Sequence, residues 1–254
     1  MPPILETRGL TVRFGGQAAV EGVTCAFARG TMTAIVGPNG AGKTTYFNLI
    51  SGQLRATSGE VFLGGARITA LPAPARARRG LGRAFQLTNL FPDLTVLENV
   101  RLAVQARAGV GLRMFGMAST LVDLRDRAMA ALERVNLAPR ARLPASALSH
   151  GDQRKLEVAI LLALEPSIFM FDEPTAGMSV DEVPVVLDLI HSIKVGGDRT
   201  ILLVEHKMDV VRSLADRIVV LHNGQLVADG EPAAVIASPV VQQAYLGMAA
   251  EEPA

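Results

Sequence analysis

Nine residues, Gly37-Pro38-Asn39-Gly40-Ala41-Gly42-Lys43-Thr44-Thr45, constrain this chain more than any other stretch. They fit the pattern G-x-x-x-x-G-K-[ST] at each fixed position, follow the apolar run Met32 to Val36, and precede a helix-like segment from Thr45 to Ile50. That is the strand–loop–helix setting of a phosphate-binding loop. Glycines at 37, 40 and 42 let the backbone curl until successive N–H groups point inward, and the positive end of the following helix adds to them. A nucleotide's phosphate oxygens then meet donors with no bulky side chain between. Lys43 is placed to reach the β- and γ-phosphates, Thr44 to put its hydroxyl on Mg2+, and Thr45 to make a further phosphate contact.

A second cluster supplies the acids. Ile168-Phe169-Met170-Phe171 is a buried-strand run that ends in Asp172-Glu173. An acid at a strand end can hold Mg2+, directly or through water, while its neighbour orients and deprotonates an attacking water, the division that phosphoryl transfer needs. Asp172 is assigned to the metal and Glu173 to the water.

Composition limits the setting. With 254 residues and 49% apolar side chains, the chain can bury one large domain or a core with a smaller lobe. A formal net charge of +1 argues against a basic nucleic-acid coat. The single cysteine, Cys25, forms no intramolecular disulfide and reads as a small buried hydrophobe in a reduced, intracellular chain. The N-terminus has no signal-peptide pattern, and the greasiest stretch, Val158 to Phe171, is interrupted by Glu165-Pro166 and too short for a bilayer, which takes about 20 apolar residues.

Along the chain, Ile4 to Phe14 and Ala18 to Phe27 read as strands joined at Gly15-Gly16, with further strands at Met32 to Val36 and from Ser58. Leu81 to Gln86 reads as a short strand after a Pro/Ala/Arg stretch. Residues 87–150 turn helical, with a break at Gly109-Val110-Gly111. Ser149 caps a helix over 151–164. Val180 to Val195 and Lys207 to Ala215 are helices around the strand Thr200 to Val204, and Pro184 belongs in the first turn of its helix. Strands alternating with helices imply a mostly parallel wound sheet. Asn223-Gly224 predicts a tight hairpin, and Pro232 to Leu246 a helical tail. His191 and His222 read as packing or solvated residues. Arg76, Arg78, Arg79 and Arg83 read as a solvated or partner-facing set, with nucleic acid or lipid headgroups as the other ligands such a set suits.

Taken together, the motifs resemble those of ATP-binding-cassette ATPases. Leu148-Ser149-His150-Gly151-Asp152-Gln153 is similar to the L-S-G-G-Q signature, Pro174 to Met178 to the D-loop, Gln86 after Ala84-Phe85 to the Q-loop, and Glu205-His206 to the switch histidine. Phe14 falls where members stack an aromatic on adenine. These elements follow the family's order and spacing across essentially the whole chain. The resemblance implies an α/β P-loop NTPase fold with a RecA-like core over about 1–86 and 151–230, an N-terminal antiparallel β-subdomain, a helical signature subdomain over about 87–150 and a tail over 231–254. It also implies a head-to-tail pair of cassettes with ATP and Mg2+ in the interface. Each ATP is then held by one subunit's loop and by Ser149 and Gly151 of the other, His206 meets the γ-phosphate and water, and Gln86 joins the metal site to the helical lobe. Two positions depart from the pattern. His150 stands where glycine is usual, and Asp152 where glutamine is usual. An acid near a γ-phosphate is repulsive unless it points away or is paired, so slowed hydrolysis is expected if Asp152 is unpaired.

Finer likeness is to the larger ATP-binding subunit of bacterial branched-chain (hydrophobic) amino acid importers. It rests on Phe85 to Val100, Asp172 to Met178, Glu205-His206-Lys207-Met208 and the tail Val241 to Gly247. Such a subunit works with two integral-membrane permeases, a second ATPase subunit or a copy of itself, and a substrate-binding protein, at the cytoplasmic face of the inner membrane. Urea and short-chain amide importers share much of this pattern, including Leu148-Ser149-His150-Gly151. A soluble cassette ATPase in DNA repair or translation is the alternative from another class, and the absence of a long coiled-coil insert and the near-neutral charge stand against it. Nucleic acid is therefore not an expected partner.

Overall fold

Where apolar residues alternate the chain forms a half-covered antiparallel sheet, and where they run unbroken it forms a parallel sheet buried on both faces. A computed structural model describes residues 2–84, 90–109, 118–178, 183–195 and 199–243. In chain order its elements are β1 (Leu5–Phe14), β2 (Gln17–Phe27), β3 (Met32–Val36), α1 (Lys43–Ser51), β4 (Ser58–Leu63), β5 (Ala66–Arg67), α2 (Ala73–Arg78) and β6 (Leu81–Arg83). The helices α3 (Val96–Ala108), α4 (Ala118–Arg134) and α5 (His150–Ala163) follow. The chain then returns through β7 (Ile168–Asp172), α6 (Val183–Val195), β8 (Thr200–Val204), α7 (Met208–Leu214), β9 (Arg217–His222), β10 (Gln225–Gly230) and α8 (Pro232–Ile236).

The first sheet has the order β2-β1-β4-β5, antiparallel throughout. The second runs β10-β9-β3-β8-β7-β6, parallel except for the β9–β10 hairpin. Every residue of β3, β7 and β8 is buried, as a strand covered on both faces requires. Alternation of side chains sorts those of β7 and β8 into two cores. Phe169, Phe171, Ile201 and Leu203 pack with the helices α3, α4 and α5, whereas Ile168, Met170, Leu202 and Val204 pack with α1 and the antiparallel sheet. The carboxyl ends of β3, β7 and β8 thus open on one edge, where ligands of open α/β sheets bind.

Within the helical lobe, Thr95 caps α3 by accepting the Glu98 N–H at 3.1 Å, and Gly109, with φ 67°, ends it. Pro184 is the second residue of α6, inside the first turn as its missing N–H demands.

One element is added to those expected, and two expectations are corrected. The Pro/Ala/Arg stretch contains a helix, α2, started by the fixed φ of Pro74 near its N-terminus. Arg76 and Arg83 are not surface charges. Arg76 is buried and donates to the carbonyls of Leu49, Ile50, Thr69 and Leu71, closing the end of α1, and burial lowers its pKa to about 10. Only Arg78 and Arg79 of that set are exposed within α2 and its end. The tail is not one helix: α8 stops at Ile236, and helix resumes at 239–243, because Pro239 biases Ser238 away from the α region. Residues 244–246 of the expected helix lie outside the described residues.

Candidate nucleotide site

The loop after β3 is shaped by what it rests on. Gly37, Gly40 and Gly42 have φ of 149°, 78° and 93°. A Cβ at Gly37 would stand 2.1 Å from the Leu221 carbonyl oxygen, and one at Gly42 2.5 Å from that of Ala19. Backbone on both sides therefore excludes any side chain at these two positions. No side chain caps α1, which begins at Lys43, so its first-turn N–H donors take no side-chain acceptor and face the loop's concavity. The hairpin tip is a support that the sequence did not disclose. Asn223 and Gly224 both have positive φ (49° and 77°), Gly224 N–H donates to Ala41 O at 3.0 Å, and Gly224 O accepts from Glu21 N–H at 2.8 Å.

Lys43 is buried and its Nζ donates to Gly37 O at 2.6 Å and Pro38 O at 2.9 Å. Burial pushes its pKa down, and the charges of Glu173 and Asp172 pull it back up. The loop's depression is lined by Ala19, Asn39, Gly40, Ala41, Gly42, Lys43, Thr44, Thr45 and Glu173. Phe14, 54% exposed, joins Gln17, Ala18, Ala19, Gly40, Asn223 and Gly224 around an adjoining depression. An open aromatic face beside a phosphate loop suits a base.

Asp172 closes β7 with its carboxylate divided between two partners. Thr44 Oγ1 lies 3.4 Å from Oδ1, while Arg83 Nη2 donates to Oδ2 at 2.7 Å in a pair whose side chains are 0% and 7% exposed. Arg83 also donates to Asn48 Oδ1, Ser51 Oγ and Gln53 Oε1. A carboxylate and a hydroxyl facing each other across a phosphate loop are hard oxygen donors, and Mg2+ takes one or two of these beside phosphate and water. The donor set fits that ion. Glu173 has φ 48°, rare for a residue with a side chain, and its N–H is held by Val204 O at 2.9 Å. Gln86 lies outside the described residues.

Ser149 caps α5 by accepting the Asp152 N–H at 3.2 Å. Ser149 and His150 are exposed and Gly151 is buried. Asp152 is paired: Arg140 meets its Oδ2, and Lys155 Nζ stands 3.0 Å from Oδ1. That pairing removes the expected repulsion at its source. Ser149, Gly151 and His206 are not in the lining of the loop's depression. His206 has a half-exposed side chain, and the preceding Glu205 is wholly buried.

Comparisons with known proteins give the chain's relatives. A family model described as ABC transporter matches residues 20–176. The high-affinity branched-chain amino acid transport ATP-binding protein LivG of Escherichia coli K12 is 39% identical over 253 residues, covering 97% of this chain and 99% of that protein. BraF of Pseudomonas aeruginosa, which bears the same description, has the same identity and coverage. Among solved structures, the ADP conformation of an ATP-binding cassette of an ABC transporter is similar with a TM-score of 0.82 at 28% identity, covering 97% of this chain and all of that one. A dimeric post-hydrolysis cassette bound to ADP and Pi is similar with a TM-score of 0.76 at 26% identity, covering 90% and 98%.

Proposed function

We propose, because this chain belongs to the ABC transporter family, that it is the ATP-hydrolysing subunit of an importer of branched-chain amino acids. One observation carries the chemistry: the end of β7 sets Asp172 against Thr44 at 3.4 Å and puts Glu173 into the depression that holds Lys43. In this reading Lys43 exchanges its two loop carbonyls for the β- and γ-phosphate oxygens, and the loop N–H groups take the remaining charge. Thr44, Asp172 and Gln86 would hold Mg2+, which when bound neutralises charge between the phosphates. Glu173 orients a water in line with the γ-phosphorus and accepts its proton as the new P–O bond forms and the bond to the β–γ bridging oxygen breaks, leaving ADP and phosphate. His206 meets the γ-phosphate and that water, and Phe14 stacks on adenine.

The assembly belongs to the same reading. Two cassettes pair head to tail, Ser149 and Gly151 of each facing the ATP on the other's loop; that a similar cassette bound to ADP and Pi is dimeric supports pairing as such. No helix among the described residues is long and apolar enough to cross a membrane. Attachment to the cytoplasmic face of the membrane therefore falls to two permease subunits, and a binding protein outside selects the substrate.

Glu173→Gln is expected to bind ATP, lose most turnover and trap a closed pair, whereas Lys43→Ala loses nucleotide binding. Full turnover in Glu173→Gln would remove Glu173 from its role. For transport, the chain is pulled down from gently solubilised native membranes in ATP-free buffer and its companions identified by mass spectrometry. Two multi-span permeases and a second cassette subunit support the importer, and the cognate binding protein then distinguishes leucine, isoleucine and valine from urea and short amides. Recovery of soluble proteins or nucleic acid alone would overturn it.

A further inference from the structure

Glu205 is a buried carboxylate with no part in the chemistry above. It is 0% exposed, at the end of β8, and its own N–H donates to Ile35 O on β3 at 3.4 Å. Its Oε2 accepts the backbone N–H groups of His206 at 2.8 Å and Lys207 at 3.2 Å. Its Oε1 accepts the hydroxyl of Thr175, 2% exposed, at 2.6 Å. Thr175 stands two residues beyond Glu173, in a turn closed by Ala176 N–H on Glu173 O at 3.0 Å. One carboxylate thus fixes the backbone that carries His206 to the turn that carries Glu173.

That turn needs holding. Glu173 occupies left-handed backbone at φ 48°, a conformation that costs a residue with a Cβ and persists where its surroundings impose it. One restraint is its N–H bond to Val204 O, the residue before Glu205. The other is the bond from Thr175 to Glu205. Both run from the end of β7 to the end of β8, so the two strand ends share one clamp.

We infer that Thr175 and Glu205 are positioning residues that set Glu173 and His206 at a fixed separation across the attacking water. This rests on the reading of Glu173 and His206 as the groups that act on that water. Neither Thr175 nor Glu205 lines the loop's depression; they act through the backbone they hold. Because a shift of about 1 Å at a reacting group can lower a rate a hundredfold, the loss falls on kcat and spares nucleotide binding, which the loop after β3 provides.

The test uses the full chain. Thr175→Val keeps the shape and removes the donor, and is expected to lower kcat about tenfold or more while the affinity for a fluorescent ATP analogue stays within about twofold. Thr175→Ser, which restores the hydroxyl, recovers most of the rate. If Thr175→Val does not fold, Thr175→Ala takes its place, since it deletes the same hydroxyl and leaves room for a water. Wild-type kcat in the hydroxyl-free variant, or Thr175→Ser as slow as that variant, overturns the inference. Glu173→Gln is measured alongside: if it keeps full turnover, the reading of the site falls and this inference with it, whereas a dead Glu173→Gln beside a fully active Thr175→Val sinks the clamp alone.

Discussion

Arg83 illustrates how a residue's neighbours decide its meaning. In the sequence it stands at the end of a run of surface-like arginines. In the fold it pairs with Asp172 at 2.7 Å, both side chains nearly or wholly excluded from solvent. Removing one partner of such a pair leaves a buried charge alone, at a cost of about 3–5 kcal/mol. Arg83→Met is therefore expected to lower the unfolding free energy by about 3 kcal/mol in a urea titration. Arg83→Lys should recover only part, since one ammonium cannot hold Asp172 together with Asn48, Ser51 and Gln53. Glu157 is the opposite case. Among the described residues its Oε1 has no hydrogen-bond partner, and burial pushes its pKa above the ordinary 4.5, with the Arg154 pair pulling it down. The folded chain then holds this proton to higher pH than the unfolded chain. The contribution of Glu157 to stability is full below about 4.5 and is lost as pH rises through the folded-state value. Glu157→Gln removes that titration. Urea midpoints measured from about pH 4 to about pH 8 should shift in favour of the variant as pH rises; a constant difference between the two proteins would mean that Glu157 keeps its ordinary pKa.

At the scale of elements, the β9–β10 hairpin and the start of α5 each carry a loop's geometry. A Cβ at Gly224 would lie 2.8 Å from Ala19 O, in left-handed backbone at φ 77°. Gly224→Ala should therefore cost about 2 kcal/mol in stability and, through the lost bond to Ala41 O, weaken ATP binding measured by equilibrium titration. For α5, the pair from Arg140 to Asp152 ties the segment between α4 and α5 to the first turn of α5. Arg140→Met leaves Asp152 only Lys155, and a partly bare acid near a partner's γ-phosphate should slow turnover about fivefold to tenfold. Asp152→Asn in the same chain should restore it; a double variant no faster than Arg140→Met would place Asp152 away from the phosphate. The hairpin turn itself was legible from Asn-Gly, and the capped start of α5 from Ser149, because both are local backbone choices. Their contacts were not. Thr175 meets Glu205 30 residues on, and Arg83 meets Asp172 89 residues on, so no window of sequence contains both partners. The phosphate loop and the β7 acids were readable because their chemistry fixes residue type at fixed spacing. The roles of Arg76, Arg83 and Glu205 emerge only from burial.

For the whole molecule, the decisive feature is what one chain leaves undone. The loop's depression is lined from β2, the phosphate loop and Glu173, while Ser149 stands exposed at the start of α5 and outside that lining. If each ATP needs a loop from one chain and a signature helix from another, defects in the two elements complement across a pair. Lys43→Ala disables the loop and Ser149→Glu sets a carboxylate against the γ-phosphate, so each variant alone is expected to be inactive and to remain at the 26.9 kDa monomer mass with ATP. In a mixed pair, one site combines both lesions. The other combines the intact loop of the Ser149→Glu chain with the intact helix of the Lys43→Ala chain. Mixing equal amounts should therefore raise an ATP-dependent dimer in light scattering and return a measurable fraction of turnover. Were loop and helix of one chain to act on the same ATP, both chains of the mixture would carry a broken site, and no dimer or activity would appear at any ratio.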